Sequence, residues 1–285
     1  MGILKTYNYI VSKFNKIETQ DKFKKKIKLR EIKLNVIKDR KDKRDFHIKQ
    51  LVGVSEPTLP KSASLVSYAT AIKNQGSTNS CSGFASTGVY EVLRNKNLNQ
   101  ALDLSELFIY YNARKNVGHE GNDNGAYLRE ICKTATKDGF ALEQFWPFDT
   151  SKVLNEPTWQ AYMCAKYYKL GGYYRCYTKT DIKKAINAGK PIIFGLRVTN
   201  DFMNFTGDIF KEMSGTAMGG HAMSILGYSD DKNAFLVRNS WGSGWDKSGY
   251  VWIDYDVLID NLIDAWAFEF KKPTILEKVG RLLMI

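Results

Sequence analysis

No run of about eighteen apolar residues occurs in the 285-residue chain, so no transmembrane helix is expected. The N-terminus, MGILKTYNYIVSKFNK, lacks the unbroken apolar stretch of a secretory signal. An intracellular, reducing setting is therefore expected. Cysteine and histidine are scarce, at four and three residues. With no C-x-x-C pair and no spare histidine, a zinc site is excluded and no organic cofactor is implied. Internal repeats and low-complexity tracts are absent as well.

What is present reads as a folded protein. Hydrophobic residues make up 44% and aromatics 13% of the chain, enough for a sizeable core. Charge is placed unevenly. Residues 1–50 hold 16 of the 42 Lys and Arg but only 6 of the 30 Asp and Glu, so they carry +10 of the net +12. Such an arm suits nucleic acid, an anionic membrane or an acidic partner, and equally a merely solvated face. The start MGILKT also matches the short N-myristoylation pattern.

Along the chain, Tyr7, Ile10, Phe14 and Ile17 recur at helical spacing, and KIKLREIKLNVIK is closer to the alternation of an extended segment. The turn-rich link GVSEPTLPKSAS ends the arm, with the boundary near Leu59–Pro60. A helical stretch follows, about 61–164. Ser80 is the expected N-cap of a helix whose apolar face holds Phe84, Ala85, Gly88, Val89, Val92 and Leu93. A second helix opens at Ser105. A third carries Leu128, Ile131, Cys132 and Ala135 and stops at Gly139. From about 165 to 270 short strands dominate (IIFGLRV, HAMSILGY, AFLVRN, GYVWID), interrupted by a helix in TDIKKAINAGKP with Thr180 as cap. Residues 271–285 form a tail. Helices first and strands later point to an α+β protein with two sub-domains and a cleft between them.

Cys81 is the unusual cysteine, at the boundary between the polar loop NQGSTNS and an apolar helix. Cys132, Cys164 and Cys176 read as structural. A thiol at a helix start, with an imidazole close by, is expected to have a lowered pKa and to serve as a nucleophile. His47 and His119 lie in the arm and in a polar loop. His221 opens a strand after Gly219 and Gly220, which admit close approach by another backbone. Asn239 can orient the imidazole, with Trp241 shielding that hydrogen bond from water. The backbone N–H of Cys81 and the side-chain amide of Gln75 can hold a developing oxyanion.

These residues lie in KNQGSTNSCSGFA, GGHAMSILGY and LVRNSWGSGWDKSGYVWI, with 140 residues between Cys81 and His221. In them the chain resembles the papain (cathepsin-type) family of cysteine peptidases, from about Leu59 to Phe270. The resemblance implies a papain-like fold: a helical sub-domain and a β-rich, barrel-like one, with the active site in the cleft between them. It makes Cys81 the nucleophile, His221 the acid/base, Asn239 its orienting partner and Gln75 part of the oxyanion hole. Gly125 falls where the family binds substrate backbone as an added strand, and Trp241 is grouped with it as substrate-facing.

The pattern also departs from the family. Thr78 and Asn112 stand where relatives carry disulfide-bonded cysteines, and Ser82 replaces a tryptophan. A long helical pro-domain signature is not evident in residues 1–58.

The expected function is peptide-bond hydrolysis, in a monomer, on a peptide or protein substrate. The arm is expected to act as a pro-like latch over its own cleft, or alternatively as a tether to membrane or nucleic acid. The rival reading is a catalytically weak or inactive papain-fold protein that binds peptides or serves structurally.

Overall fold

The computed structural model describes residues 32–52 and 58–282. The expected helix of Tyr7 to Ile17, the Lys22–Lys28 cluster and the MGILKT start lie outside the described residues.

Three helices build the first half: α1 Cys81–Leu98, α2 Glu106–Lys115 and α3 Leu128–Lys137, followed by α4 Trp159–Ala165. Local sequence signals set their ends. The Ser105 hydroxyl accepts from the Phe108 N–H and caps α2. Gly139, with φ of +93°, lets the chain leave α3. Every residue of α1 from Cys81 to Arg94 is buried, so this helix forms the central axis of the half.

The second half contributes β2 to β8, namely Gly172–Arg175, Ile192–Thr199, Ile209–Phe210, Ala217–Ser229, Ala234–Arg238, Tyr250–Asp254 and Leu262–Glu269. The short β1, Ser62–Ser64, precedes them in the chain, and helix α5, Lys179–Asn187, lies between β2 and β3. The strands join in one sheet of order β2-β8-β3-β5-β6-β7-β4, with β1 added on β5. Pairing is antiparallel except between β4 and β7. The sheet is open, so the barrel-like closure expected of this half is not seen among the described residues.

Alternation along β5 divides the core. Ala222 faces a cluster formed with α1, α2 and α3, whereas Met223 and Ile225 face a second cluster with Phe194, Val237 and Trp241. Burial of these apolar faces against each other is the main stabilising term. The boundary between α1 and β5 is where the two halves meet, and Cys81 and His221 both lie on it.

Two local expectations shift. Helix α5 is capped by Thr178, not Thr180. Its hydroxyl accepts from the Asp181 N–H while the Asp181 carboxylate accepts from the Thr178 N–H. Ser80 does sit at the N-cap of α1, but its hydroxyl bonds Thr78 Oγ1 (2.6 Å) and caps nothing. Strands β2 and β8 were not anticipated. Neither was helix α6, Ile275–Leu282, whose start is held by reciprocal Thr274–Glu277 hydrogen bonds.

Candidate active site

Cys81 opens α1, the position where the helix dipole favours a thiolate. Its sulfur is fully buried and receives the Ala222 N–H at 3.4 Å. Burial nevertheless pushes the thiol up to about 11. The backbone N–H groups of Ala222, Ser82 and Asn35 pull the other way without overcoming it. The expected lowering of this pKa is thus absent in the present arrangement. Desolvation outweighs these donors, among them the Asn35 N–H of the arm.

His221, on β5, is fully buried. Its Nε2 lies 2.7 Å from Asn239 Oδ1. The same oxygen accepts the Ser240 N–H at 2.8 Å, which fixes the amide with its carbonyl toward the ring. Nε2 must therefore carry the proton in the neutral ring, and Nδ1 is left with a free lone pair. Nδ1 has no hydrogen-bond partner among the described residues. Burial pulls the imidazole down to about 4, against the raising effect of Asn239. Trp241 stacks on the ring at 4.5 Å and 22° and is itself fully buried, against Phe202 and Trp245. Water is thereby kept from the His221–Asn239 bond. Trp241 has no exposed face here that could meet a substrate.

Gln75 is held at both ends. Its Oε1 accepts the Ser240 hydroxyl (2.8 Å), and its backbone N–H donates to Ser240 O (2.9 Å). The Nε2 then donates to Thr78 O (2.9 Å) and to Lys33 O (3.3 Å), a carbonyl of the arm. Ser240 thus ties Gln75 and Asn239 into one frame. Sequence reasoning missed it, although it stands between the two singled-out residues Asn239 and Trp241.

Residues 33–37 run through the cleft in extended form, as their alternation suggested. Val36 N–H donates to Gly220 O (2.9 Å), Ile37 N–H to Ala126 O (3.5 Å), and Asn35 Nδ2 to Asn124 O (2.6 Å). The bridges Asn35–Gly220 and Ile37–Tyr127 are both parallel. Glycine lines this track because nothing larger fits. A Cβ on Gly125, whose φ is +80°, would fall on the Asn35 carbonyl oxygen. One on Gly219 would lie 2.6 Å from Leu34 O, and one on Gly220 2.7 Å from Val36 O. The close backbone approach expected at Gly219–Gly220 is therefore made by the chain's own arm. Val36 itself is buried between Gly195, Gly220 and Ile263.

All four cysteines are free and buried. Hydrogen bonds occupy the positions where a disulfide would stand in relatives: Thr78 Oγ1 donates to Gln75 O, and Asn112 Nδ2 to Phe108 O. The Ser82 hydroxyl is buried without a partner among the described residues. The remaining histidines lie elsewhere. His47 pairs with Asp181 at 3.4 Å, and His119 sits exposed in its loop.

A family model described as papain family cysteine protease matches residues 59–262. The chain belongs to that family, and it is a papain-like cysteine peptidase, a hydrolase, of α+β fold. By sequence it is 32% identical to an uncharacterized peptidase C1-like protein of Acanthamoeba polyphaga mimivirus, over 94% of this chain and 88% of that protein. Other cysteine proteases and cathepsin-like proteins also match, and the chain spans between 46% and 62% of their lengths. Among solved structures, xylellain, a cysteine protease from Xylella fastidiosa, superposes with a TM-score of 0.74 at 28% identity, over 85% of this chain and 97% of that one. Digestive procathepsin L 3 of the Tenebrio molitor larval midgut gives 0.65 at 18% identity, over 94% and 88%, a likeness of fold.

Proposed function

We propose that this chain hydrolyses peptide bonds through Cys81 and that the form described here is latent, with residues 33–37 as the latch. The observation that carries the reading is the bonded frame His221–Asn239–Ser240–Gln75 beside the sulfur. It leaves His221 Nδ1 with no hydrogen-bond partner among the described residues, one residue before Ala222, whose N–H meets the sulfur, and it aims the Gln75 amide at a carbonyl oxygen. In the opened cleft, Nδ1 takes the Cys81 proton and the thiolate attacks the scissile carbonyl carbon. The oxyanion is received by Gln75 Nε2 and the Cys81 N–H. The imidazolium then gives its proton to the leaving amine, forming a thioester. Water, deprotonated by the same nitrogen, hydrolyses the thioester and frees the carboxylic acid. Gly220 and Ala126 present backbone carbonyls to the substrate strand, as they do to the arm, and Gly125 lets that strand approach closely. Trp241 serves by shielding the His221–Asn239 bond.

The latch resists this chemistry by its register. The sulfur meets the Asn35 N–H, not a carbonyl carbon held against Gln75. The adjacent Leu34 carbonyl oxygen lies toward Gly219, so attack there would build an oxyanion away from Gln75. The test is a fluorogenic peptide library with wild type, Cys81→Ala and the latch variant Val36→Asp. Turnover that rises in Val36→Asp and vanishes when Cys81→Ala is added supports the proposal. Absence of both turnover and covalent epoxide labelling in Val36→Asp would refute it and leave a peptide-binding protein.

A further inference from the structure

The arm does not behave as one unit past the cleft. Beyond Ile37 its contacts change from backbone bonds along glycines to buried side chains. Asp39, 4% exposed, accepts the Arg129 N–H at the start of α3 (3.2 Å) and Trp266 Nε1 (3.0 Å), while its own N–H donates to Asp264 Oδ2 (2.7 Å). Asp45 receives Arg129 through Nε (2.9 Å) and Nη2 (2.7 Å), and Arg175 through Nη1 (3.2 Å). Arg175 is paired in turn with Asp264. Residues 46–48 then bond the outer edge of β2, with Arg175 N–H to Phe46 O (2.7 Å) and Ile48 N–H to Arg175 O (3.0 Å). They cover the sheet edge that β2 would otherwise leave open. Ile48, fully buried, joins the core that includes Ile182 and Ala185. His47 stacks on Tyr177 at 5.2 Å.

We infer that residues 39–52 are a permanent structural part of the peptidase, and that only the chain up to the exposed Lys38 is the removable latch. This rests on the latch reading above for residues 33–37, and it moves the functional boundary from Leu59 to the Lys38–Asp39 junction. Taking away everything before residue 59 would strip Arg129 of Asp45 and the Arg40 carbonyl and leave Arg175 with Asp264 as its carboxylate partner among the described residues. It would also open the pocket of Ile48 and the edge of β2. Breaking one side of such a charge network and uncovering its apolar surroundings is destabilising. Taking away residues up to 38 empties the cleft and leaves every one of those contacts made. The segment lies outside the matched family region of 59–262.

The test uses the full chain with the recognition sequence of a site-specific protease placed either after Lys38 or in place of residues 53–57. After cleavage, gel filtration with mass spectrometry reads which piece stays, melting reads stability, and iodoacetamide reads Cys81. A cut in 53–57 should leave 1–52 bound to the body, with Cys81 as slow as before. A cut after Lys38 should release 1–38, keep the remaining segment, and speed Cys81 labelling by about tenfold or more. In the uncut chain, Asp45→Asn and Ile48→Ser should each lower the Tm by about 5 °C or more without exposing Cys81 below the transition. The inference is overturned if 1–52 separates from a body that keeps its Tm, or if neither substitution changes the Tm. Release of 1–38 from a stable body with no gain in labelling would leave the retained segment standing and overturn the latch reading of residues 33–37.

Discussion

Val36→Asp is the sharpest probe of the proposed latch, because the side chain sits in the cleft but outside the His221–Asn239–Ser240–Gln75 frame. Val36 is 7% exposed, enclosed by Gly195, Gly220 and Ile263. Burying a valine is worth ~1.5–3 kcal/mol, and this is forfeited by the variant. Holding a carboxylate there adds a desolvation cost of several kcal/mol. The opened form, with the residue in water, bears neither cost. A combined shift of at least ~4 kcal/mol against the closed form corresponds to a roughly thousandfold change in the opening equilibrium, at 1.4 kcal/mol per tenfold.

Iodoacetamide reaches Cys81 only through the opened form, so the labelling rate should rise by that factor until opening becomes the majority state. Val36→Ala, which keeps the pocket apolar, should give a much smaller rise. Cys132, Cys164 and Cys176 are buried in the domain and serve as internal controls, read peptide by peptide after digestion. An unchanged Cys81 rate would refute the latch. Equal acceleration of all four thiols would also refute it, because the variant would then be melting the domain and not lifting one strand.

Gln75→Ala, in the Val36→Asp background, should lower kcat by about 10²–10³ with little change in KM, since in the proposed mechanism the amide serves the oxyanion and not the bound substrate; a change confined to KM would reassign it to substrate binding. The pH dependence of stability should carry two signatures of the closed cleft. His221 is pulled down to about 4 from an ordinary 6.5, so the unfolded chain takes up its proton first. Its contribution to stability is therefore full above pH 6.5 and is lost as pH falls toward 4. Cys81 is raised to about 11 from 9, so the unfolded thiol ionises first and stability is lost as pH rises from 9 to 11. Melting curves of His221→Gln and Cys81→Ser, subtracted from wild type, should isolate each window; differences that are flat across these ranges would contradict the burial argument.

The parts legible in the sequence were those encoded within a few residues. Ser105 announced α2 by its hydroxyl, Gly139 ended α3 by its backbone freedom, and Gly219–Gly220 marked a close backbone approach. Each of Cys81, His221, Asn239 and Gln75 lay in a recognisable local setting. The structure draws three of them into one bonded frame through Ser240 and sets that frame beside Cys81. What stayed hidden depended on long separations. The Asp45–Arg175 pair spans 130 residues, and the backbone N–H groups that meet the Cys81 sulfur include those of Asn35 and Ala222. No local rule announces either contact. The thiol pKa failed for the same reason: the helix start is a local feature, whereas the desolvation that overrides it is supplied from elsewhere in the chain. Thr178 and Asp181 have the spacing of a capping box, so the sequence does carry the signal that favours Thr178 over Thr180 as the cap.

The geometry of the cleft also explains why the proposed latch can be weak where it touches Gly220 and Ala126. Gly220 and Ala126 offer the arm the same kind of backbone bonds that they would offer a substrate strand, and one of these is long at 3.5 Å. Contacts of that quality would hold a free pentapeptide poorly against competing substrate. Segment 33–37 is not free. It is joined directly to Asp39, whose carboxylate and N–H are fixed to Arg129, Trp266 and Asp264. A short tether of this kind gives an effective concentration on the order of millimolar, so modest local bonds suffice for closure. The same arrangement makes closure conditional on one covalent link. Once the chain is broken at Lys38, the tether's contribution disappears in a single step, and the glycine-lined track is left to whatever extended peptide arrives.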